Sequence, residues 1–91
     1  MMPLSEAEAL AVVEESITQI VPDADFTRVA PDDKFRDVLE LDSLDFLSLV
    51  ALLAERTGIS IDEEDYPELT TLSDSARFLV DRSKDTTSPT T

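Results

Sequence analysis

Ser43 is the residue best placed to do chemistry, because it lies between two carboxylates, Asp42 and Asp45, where a helix is expected to begin. A serine hydroxyl attacks a substrate only when a base removes its proton, and the chain has no His and no Cys. A Ser-His-Asp or Cys-His catalytic site is therefore excluded. A serine that another enzyme modifies needs no such base, and a phosphate ester there would meet the free N–H groups of a helix N-terminus. The competing interpretation is that Asp42 and Ser43 only cap the helix, since both residue types are favoured caps.

The charge of the chain limits its partners. Its 91 residues include 21 Asp and Glu against 7 Lys and Arg, which gives a formal net charge of −14. Nucleic acids and anionic membranes bind clusters of basic residues, so we expect neither as a partner. We also expect no metal site, because residues 62–65 form an acidic run that lacks the spaced ligands and central glycine of an EF-hand loop.

Capping residues and hydrophobic periodicity predict an all-α fold, a small four-helix bundle of three main helices plus one short helix, with a long first loop. A capping box at Ser5 and Glu8 begins the first helix, Gly58 ends the second, and Thr71 caps the last. The predicted ranges are Glu6–Ile20, Asp42 or Ser43 to Gly58, a short helix over Asp62–Tyr66 that Pro67 breaks, and Thr71 to about Arg82.

A long connection over residues 22–42 joins the first two main helices, with one helical turn expected over Phe35–Leu39. Residues 83–91 are rich in Ser, Thr and Pro and contain no apolar residue. We therefore divide the chain into a helical domain over residues 1–82 and a disordered tail over residues 83–91. The apolar residues of the connection are expected to plug the core; they are Phe26, Val29, Phe35, Val38, Leu39 and Leu41.

The second helix is apolar over a wider arc than one buried face requires. Phe46, Leu49, Val50 and Leu53 group on one side, and Leu44, Leu47, Ala51 and Ala54 extend the arc. Either this helix is central and buried on most sides, or Leu44, Leu47 and Ala51 form an exposed strip that binds a partner beside Ser43. The sequence leaves both interpretations open.

The segment Leu41-Asp42-Ser43-Leu44-Asp45-Phe46 resembles the Asp-Ser-Leu motif of acyl carrier proteins. The resemblance covers roughly residues 5–82 and includes three further segments, Pro31-Asp32-Asp33-Lys34-Phe35 followed by Asp37-Val38-Leu39, Gly58-Ile59-Ser60-Ile61-Asp62-Glu63-Glu64, and Leu69-Thr70-Thr71-Leu72. The chain also departs from the family. Glu40 replaces a common glycine, and Ser48 and Ala54 replace common acidic residues, which favours a dedicated pathway with its own partners.

The resemblance implies a carrier rather than an enzyme. A phosphopantetheinyl transferase would attach a 4′-phosphopantetheine arm from coenzyme A to Ser43, and the thiol of the arm would hold acyl groups as thioesters for fatty-acid, polyketide or related lipid biosynthesis. Partners would be acyl-transferring, ketosynthase-type or acyl-activating enzymes whose basic docking patches attract an acidic carrier. The partner-binding residues are expected to be Asp42, Leu44, Asp45, Leu47, Ala51 and Glu55.

Three further points follow as expectations. The N-terminus lacks a basic leader and an apolar signal core, so we expect a cytoplasmic protein, and we expect it to be a monomer. An acyl chain could enter the bundle interior among Val13, Ile17, Phe46, Val50, Leu53 and Leu79, or the core could be fully packed. The alternative function is an acidic helical protein–protein interaction module without a cofactor.

Overall fold

The computed structural model describes residues 4–86, with side chains described for residues 4–83. In this part of the chain the protein is all-α, as predicted, and contains no β-strand. Its α-helices are α1 (Glu6–Ile20), α2 (Phe35–Val38), α3 (Ser43–Thr57) and α4 (Leu72–Thr86). Two 3₁₀ helices, Phe26–Arg28 and Glu63–Leu69, lie in the connections before α2 and α4.

The predicted caps begin and end the long helices. The Glu8 N–H donates to Ser5 Oγ and the Ser5 N–H donates to Glu8 Oε1, which closes the capping box of α1. Gly58 ends α3 in the left-handed conformation with φ 73°. Thr71 Oγ1 accepts from the Asp74 N–H at the start of α4. These local hydrogen bonds explain why the bounds of α1 and α3 match the prediction.

The core lies between the three long helices, with α1 packed against both α3 and α4. It is built from apolar residues of all four α-helices and of the connections, and it buries the predicted stripe of the second helix, Phe46, Leu49, Val50 and Leu53. Val29, Phe35 and Leu41 of the long connection are also buried, whereas Phe26 and Leu39 pack only at its edge. The expectation for Val38 was wrong: it is 42% exposed, whereas Phe35 at the start of the same short helix is fully buried.

Two boundary predictions were also wrong. Pro67 does not break the short helix but lies inside the 3₁₀ helix Glu63–Leu69. Successive 3₁₀ turns tolerate a residue without an N–H better than a continuous α-helix does. The last helix continues past Arg82 to Thr86, so the predicted tail begins inside α4. Residues 87–91 of that tail lie outside the described residues.

The long connection and the second 3₁₀ helix, Glu63–Leu69, are both attached to α4. The Ser73 N–H donates to the Pro31 carbonyl at 2.9 Å. Arg82 Nη2 lies 2.7 Å from Asp65 Oδ1, an ion pair in which the carboxylate is largely buried. These links hold α2 and the second 3₁₀ helix on either side of the first turn of α3, where Ser43 lies.

Candidate functional site

Ser43 is the first residue of α3 and its side chain is exposed. The helix is capped by Asp42 alone, whose Oδ1 accepts from the Asp45 N–H at 2.8 Å. In return the Asp42 N–H donates to Asp45 Oδ2 at 3.4 Å. Within the described residues, Ser43 Oγ has no hydrogen-bond partner. Ser43 is therefore not a cap, and its hydroxyl is available for reaction.

The turn that leads into α3 is set by the end of α2. The Leu41 N–H donates to the Arg36 carbonyl at 2.9 Å and the Glu40 N–H to the Asp37 carbonyl at 3.4 Å, the pattern of a Schellman motif. This motif places its central residue, Glu40, at φ 54°. Glycine is the residue that adopts this conformation most easily, so the sequence places a strained residue just before Ser43.

An apolar patch surrounds the start of α3. Leu44 is 74% exposed and Leu47 48%, and Ala51 is exposed one turn further along the helix. Val38 of α2, which sequence reasoning assigned to the core, is exposed as well. We call Leu44, Leu47 and Ala51 the exposed strip. The structure thus favours the interpretation that α3 has both a buried and an exposed apolar face.

Acidic side chains also lie on the surface near the start of α3 and further along it. Asp42 and Glu55 are exposed and Asp45 is half-exposed. The capping box fixes the orientation of the Asp42 and Asp45 carboxylates, whereas Glu55 has neither an ion pair nor a side-chain hydrogen bond within the described residues. The predicted partner-binding residues therefore lie on one continuous surface that extends from Ser43 along α3.

A groove of about 660 Å³ opens beside Ser43. It lies between α2, the first turns of α3 and the second 3₁₀ helix, and Phe46 and Leu69 form its floor. Of the six interior residues expected to surround an acyl chain, only Phe46 lines this groove, while all six are buried. This groove therefore opens at the side of the bundle, next to Ser43, rather than among the other five of those residues.

Three side chains stack along one wall of the groove. The Phe46 and Tyr66 rings meet edge to face with their centroids 5.2 Å apart. The Arg36 guanidinium carbon lies 4.6 Å from the centroid of the Phe46 ring. Sequence reasoning missed Arg36, because its role depends on α2 folding back onto α3, which no local pattern indicates.

Among the described residues, no group of three or more His, Cys, Asp or Glu side chains could hold a metal ion. The same residues include no helix that is long and apolar enough to cross a membrane.

Comparisons with known proteins agree with this geometry. The family model described as a phosphopantetheine attachment site matches residues 7–79. The acyl carrier protein of Solidesulfovibrio magneticus is 34% identical over 70 residues, which cover 74% of this chain and 90% of that protein. The acyl carrier protein of Tropheryma whipplei is 35% identical over 82 residues, which cover 87% of this chain and 95% of that protein.

The fold has a solved counterpart as well. A solution structure of a candidate acyl carrier protein from Anaplasma phagocytophilum matches with a TM-score of 0.78 at 28% identity, covering 91% of this chain and 97% of that one. Acyl carrier proteins are carriers rather than catalysts, and they work with biosynthetic enzymes and a phosphopantetheinyl transferase. The chain therefore belongs to the acyl carrier protein family, whose members hold a covalently attached 4′-phosphopantetheine.

Proposed function

We propose that Ser43 is the residue that receives the phosphopantetheine arm, and that the protein carries acyl groups on it between enzymes. One observation supports this assignment above the others: Ser43 is exposed at the first position of α3 while Asp42 does the capping. The N–H groups of Ser43 and Leu44 lack acceptors within the helix, and they favour a phosphate at this position. The groove beside Ser43 gives an extended arm a surface to lie against.

Attachment requires a base that this chain does not provide near Ser43. The chain has no His or Cys, and the neighbouring Asp42 and Asp45 carboxylates accept capping hydrogen bonds from the backbone. Ser43 Oγ would therefore lose its proton to a base of the transferase as it bonds to phosphorus, while adenosine 3′,5′-bisphosphate leaves from coenzyme A. The chain acts as the acceptor in this step and catalyses nothing itself.

The bound arm would supply a terminal thiol, which holds an acyl group as a thioester. The residues around Ser43 then determine where that group is presented. Phe46, Tyr66 and Leu69 offer apolar contacts in the groove, and Thr70 at its rim offers a hydroxyl. Tethering raises the local concentration of the acyl group at each docked enzyme.

The exposed strip and its acidic border form the proposed docking surface. Its partners would be acyl-transferring, ketosynthase-type or acyl-activating enzymes that present an apolar contact surrounded by basic residues. Leu44 and Leu47 would supply the apolar contact, and Asp42, Asp45 and Glu55 would attract the basic border. These contacts should weaken as the salt concentration rises, since screening acts over about 8 Å at physiological ionic strength.

We further propose that the pathway is a dedicated branch of fatty-acid, polyketide or related lipid biosynthesis in the cytoplasm. Ser48 is exposed on α3 and Ala54 is half-exposed, so the positions that resemble acidic ones of the family carry no charge on this surface. A partner that requires those two charges would bind this protein weakly. A cofactor-free interaction module would use the same exposed strip, and the state of Ser43 distinguishes the two functions.

The test is transfer of the arm. The apo-protein is incubated with coenzyme A and a broad-specificity phosphopantetheinyl transferase, and its intact mass is measured. We expect the mass of one arm to be added to the native chain. The same gain is expected for the control Ser48→Ala, which replaces an exposed serine on the same helix. Ser43→Ala should gain nothing. Absence of any gain with several transferases, or a gain that persists in Ser43→Ala, would overturn the assignment.

A further inference from the structure

Arg36 has no ion-pair partner within residues 4–83 of a strongly acidic protein. The chain has 7 basic and 21 acidic residues, so carboxylates outnumber basic side chains three to one. The ion pairs within residues 4–83 are Arg56–Glu15 and Arg82–Asp65. Arg36 forms neither an ion pair nor a side-chain hydrogen bond in that range, although it is half-buried.

The guanidinium of Arg36 is nevertheless held in place. Its central carbon lies 4.6 Å from the centre of the Phe46 ring, and the edge-to-face contact with Tyr66 holds that ring in turn. Arg36, Ser43 and Phe46 all line the groove, and Phe46 follows Ser43 by one helical turn. A positioned guanidinium that has no hydrogen-bond acceptor within residues 4–83 and shares a groove with the reactive hydroxyl is suited to an oxyanion, which it can bind through two parallel hydrogen bonds.

The surroundings of Ser43 create a need for such a cation. A phosphodiester on Ser43 adds a negative charge next to the carboxylates of Asp42 and Asp45, in a chain whose net charge is already −14. Repulsion between like charges would direct the phosphate away from the protein. The positive end of the α3 dipole offsets part of this repulsion, and a guanidinium on the groove side can offset more.

We propose that Arg36 is the positioning residue for the phosphodiester formed at Ser43, holding the first bonds of the arm over the groove. This inference rests on the proposed function. Lys34, exposed on the same groove, adds positive charge without a fixed position. The ligand is the phosphodiester rather than an anionic acyl cargo, because the phosphodiester is bonded to Ser43 itself.

The test compares apo- and holo-protein without cargo, so that the phosphodiester is the only added anion. In nitrogen-15 NMR spectra of the native chain, the Nε–H signal of Arg36 should shift on loading, while those of Arg56 and Arg82, which already have carboxylate partners, should stay. The shift should shrink as salt is added. In phosphorus-31 spectra of the holo-forms, Arg36→Gln should move the phosphodiester signal, and Arg36→Lys should restore it in part.

Arg77→Gln is the matched control, because Arg77 is exposed on α4 outside the groove and its loss changes the net charge equally. This variant should leave the phosphorus signal unchanged, and an equal movement in both glutamine variants would overturn the proposal.

If Arg36→Gln does not fold, the nitrogen-15 spectra of the native chain test the proposal without it. An Arg36 signal that stays still on loading, or that moves only when a carboxylated cargo such as malonyl is attached, contradicts the proposal. Loading is verified by mass: no mass gain overturns the proposed function together with this inference, whereas a mass gain with an unmoved Arg36 signal overturns this inference alone.

Discussion

Replacing Glu40 with glycine should stabilise the protein by relieving backbone strain just before α3. Glu40 adopts φ 54°, a conformation that costs a residue with a side chain about 1–2 kcal/mol. Glycine adopts this conformation without that cost. The unfolded glycine variant has more conformational entropy, however, which offsets about 0.5–1 kcal/mol of the gain. We therefore expect Glu40→Gly to raise the free energy of unfolding by about 0.5–1 kcal/mol.

The side chain of Glu40 offers nothing in return. It is exposed and has no ion pair or side-chain hydrogen bond within residues 4–83, and its backbone N–H bond to Asp37 does not depend on the side chain. The substitution also removes one negative charge from an acidic surface. Glu40→Gln separates the two effects, because it removes the charge and keeps the strain.

Thermal unfolding followed by circular dichroism, together with urea titration, measures the effect. The melting temperature of Glu40→Gly should rise by about 2–8 °C. Gly58→Ala gives the reverse comparison at the end of α3. Gly58 has φ 73°, and an added Cβ would meet no atom within 4 Å, so the expected loss of about 1 kcal/mol comes from the backbone alone.

Two results would contradict this reasoning. If Glu40→Gly melts no higher than the native protein while Gly58→Ala melts lower, the turn before Ser43 is not strained. If Glu40→Gln stabilises as much as Glu40→Gly does, the gain comes from charge and not from the backbone.

Further substitutions test other parts of the structure. Leu47→Asp should slow turnover by partner enzymes yet change the free energy of unfolding by less than about 0.5 kcal/mol, since Leu47 is 48% exposed. Leu49→Ala is the control at a fully buried position, and it should lower the free energy of unfolding by about 2–5 kcal/mol in the same urea titration. If Leu47→Asp unfolds the protein, Leu47 belongs to the core. Ser75→Ala should leave stability unchanged or raise it, because the buried Ser75 hydroxyl has no hydrogen-bond partner among the described residues; a loss above about 1 kcal/mol would contradict this. Glu8→Gln should melt below the native protein near neutral pH, because the Ser5 backbone N–H, and to a lesser extent the Ser5 hydroxyl, lower the pKa of Glu8 from its usual 4.5. A carboxyl group with a lowered pKa stabilises the fold above its unfolded pKa and loses that effect as the pH falls through the folded pKa. The melting temperatures of the two proteins should therefore converge as the pH falls through the folded pKa of Glu8, and a difference that stays constant with pH would be the contrary result.

Elements fixed by local hydrogen bonds could be predicted from the sequence. Ser5 with Glu8, Asp42 with Asp45, and Gly58 each determine one helix end through neighbours in the chain, so the bounds of α1 and α3 agree with the prediction. The end of α4 lacks such a signal. Its residues after Arg82 are polar on all sides, and a hydrophobic pattern cannot show whether the helix continues through them.

The candidate site divides in the same way. The position of Ser43 follows from the motif and the helix start, both of which are local. The division of α3 into a buried and an exposed apolar face, by contrast, depends on how many neighbours pack against it, and the sequence left it open. Val38 and Arg36 depend on how the single turn of α2 docks onto α3, so their exposure and stacking became visible only in the folded chain.

The central claim is that Ser43 carries the arm, and the chemical state of the protein in its own cell tests this most directly. The protein is purified from its native host without reduction or alkaline treatment, digested, and analysed by tandem mass spectrometry. We expect phosphopantetheine, with an acyl group on its thiol, on the peptide that contains Ser43. An unmodified Ser43, or an arm located on another serine such as Ser48, would contradict the account.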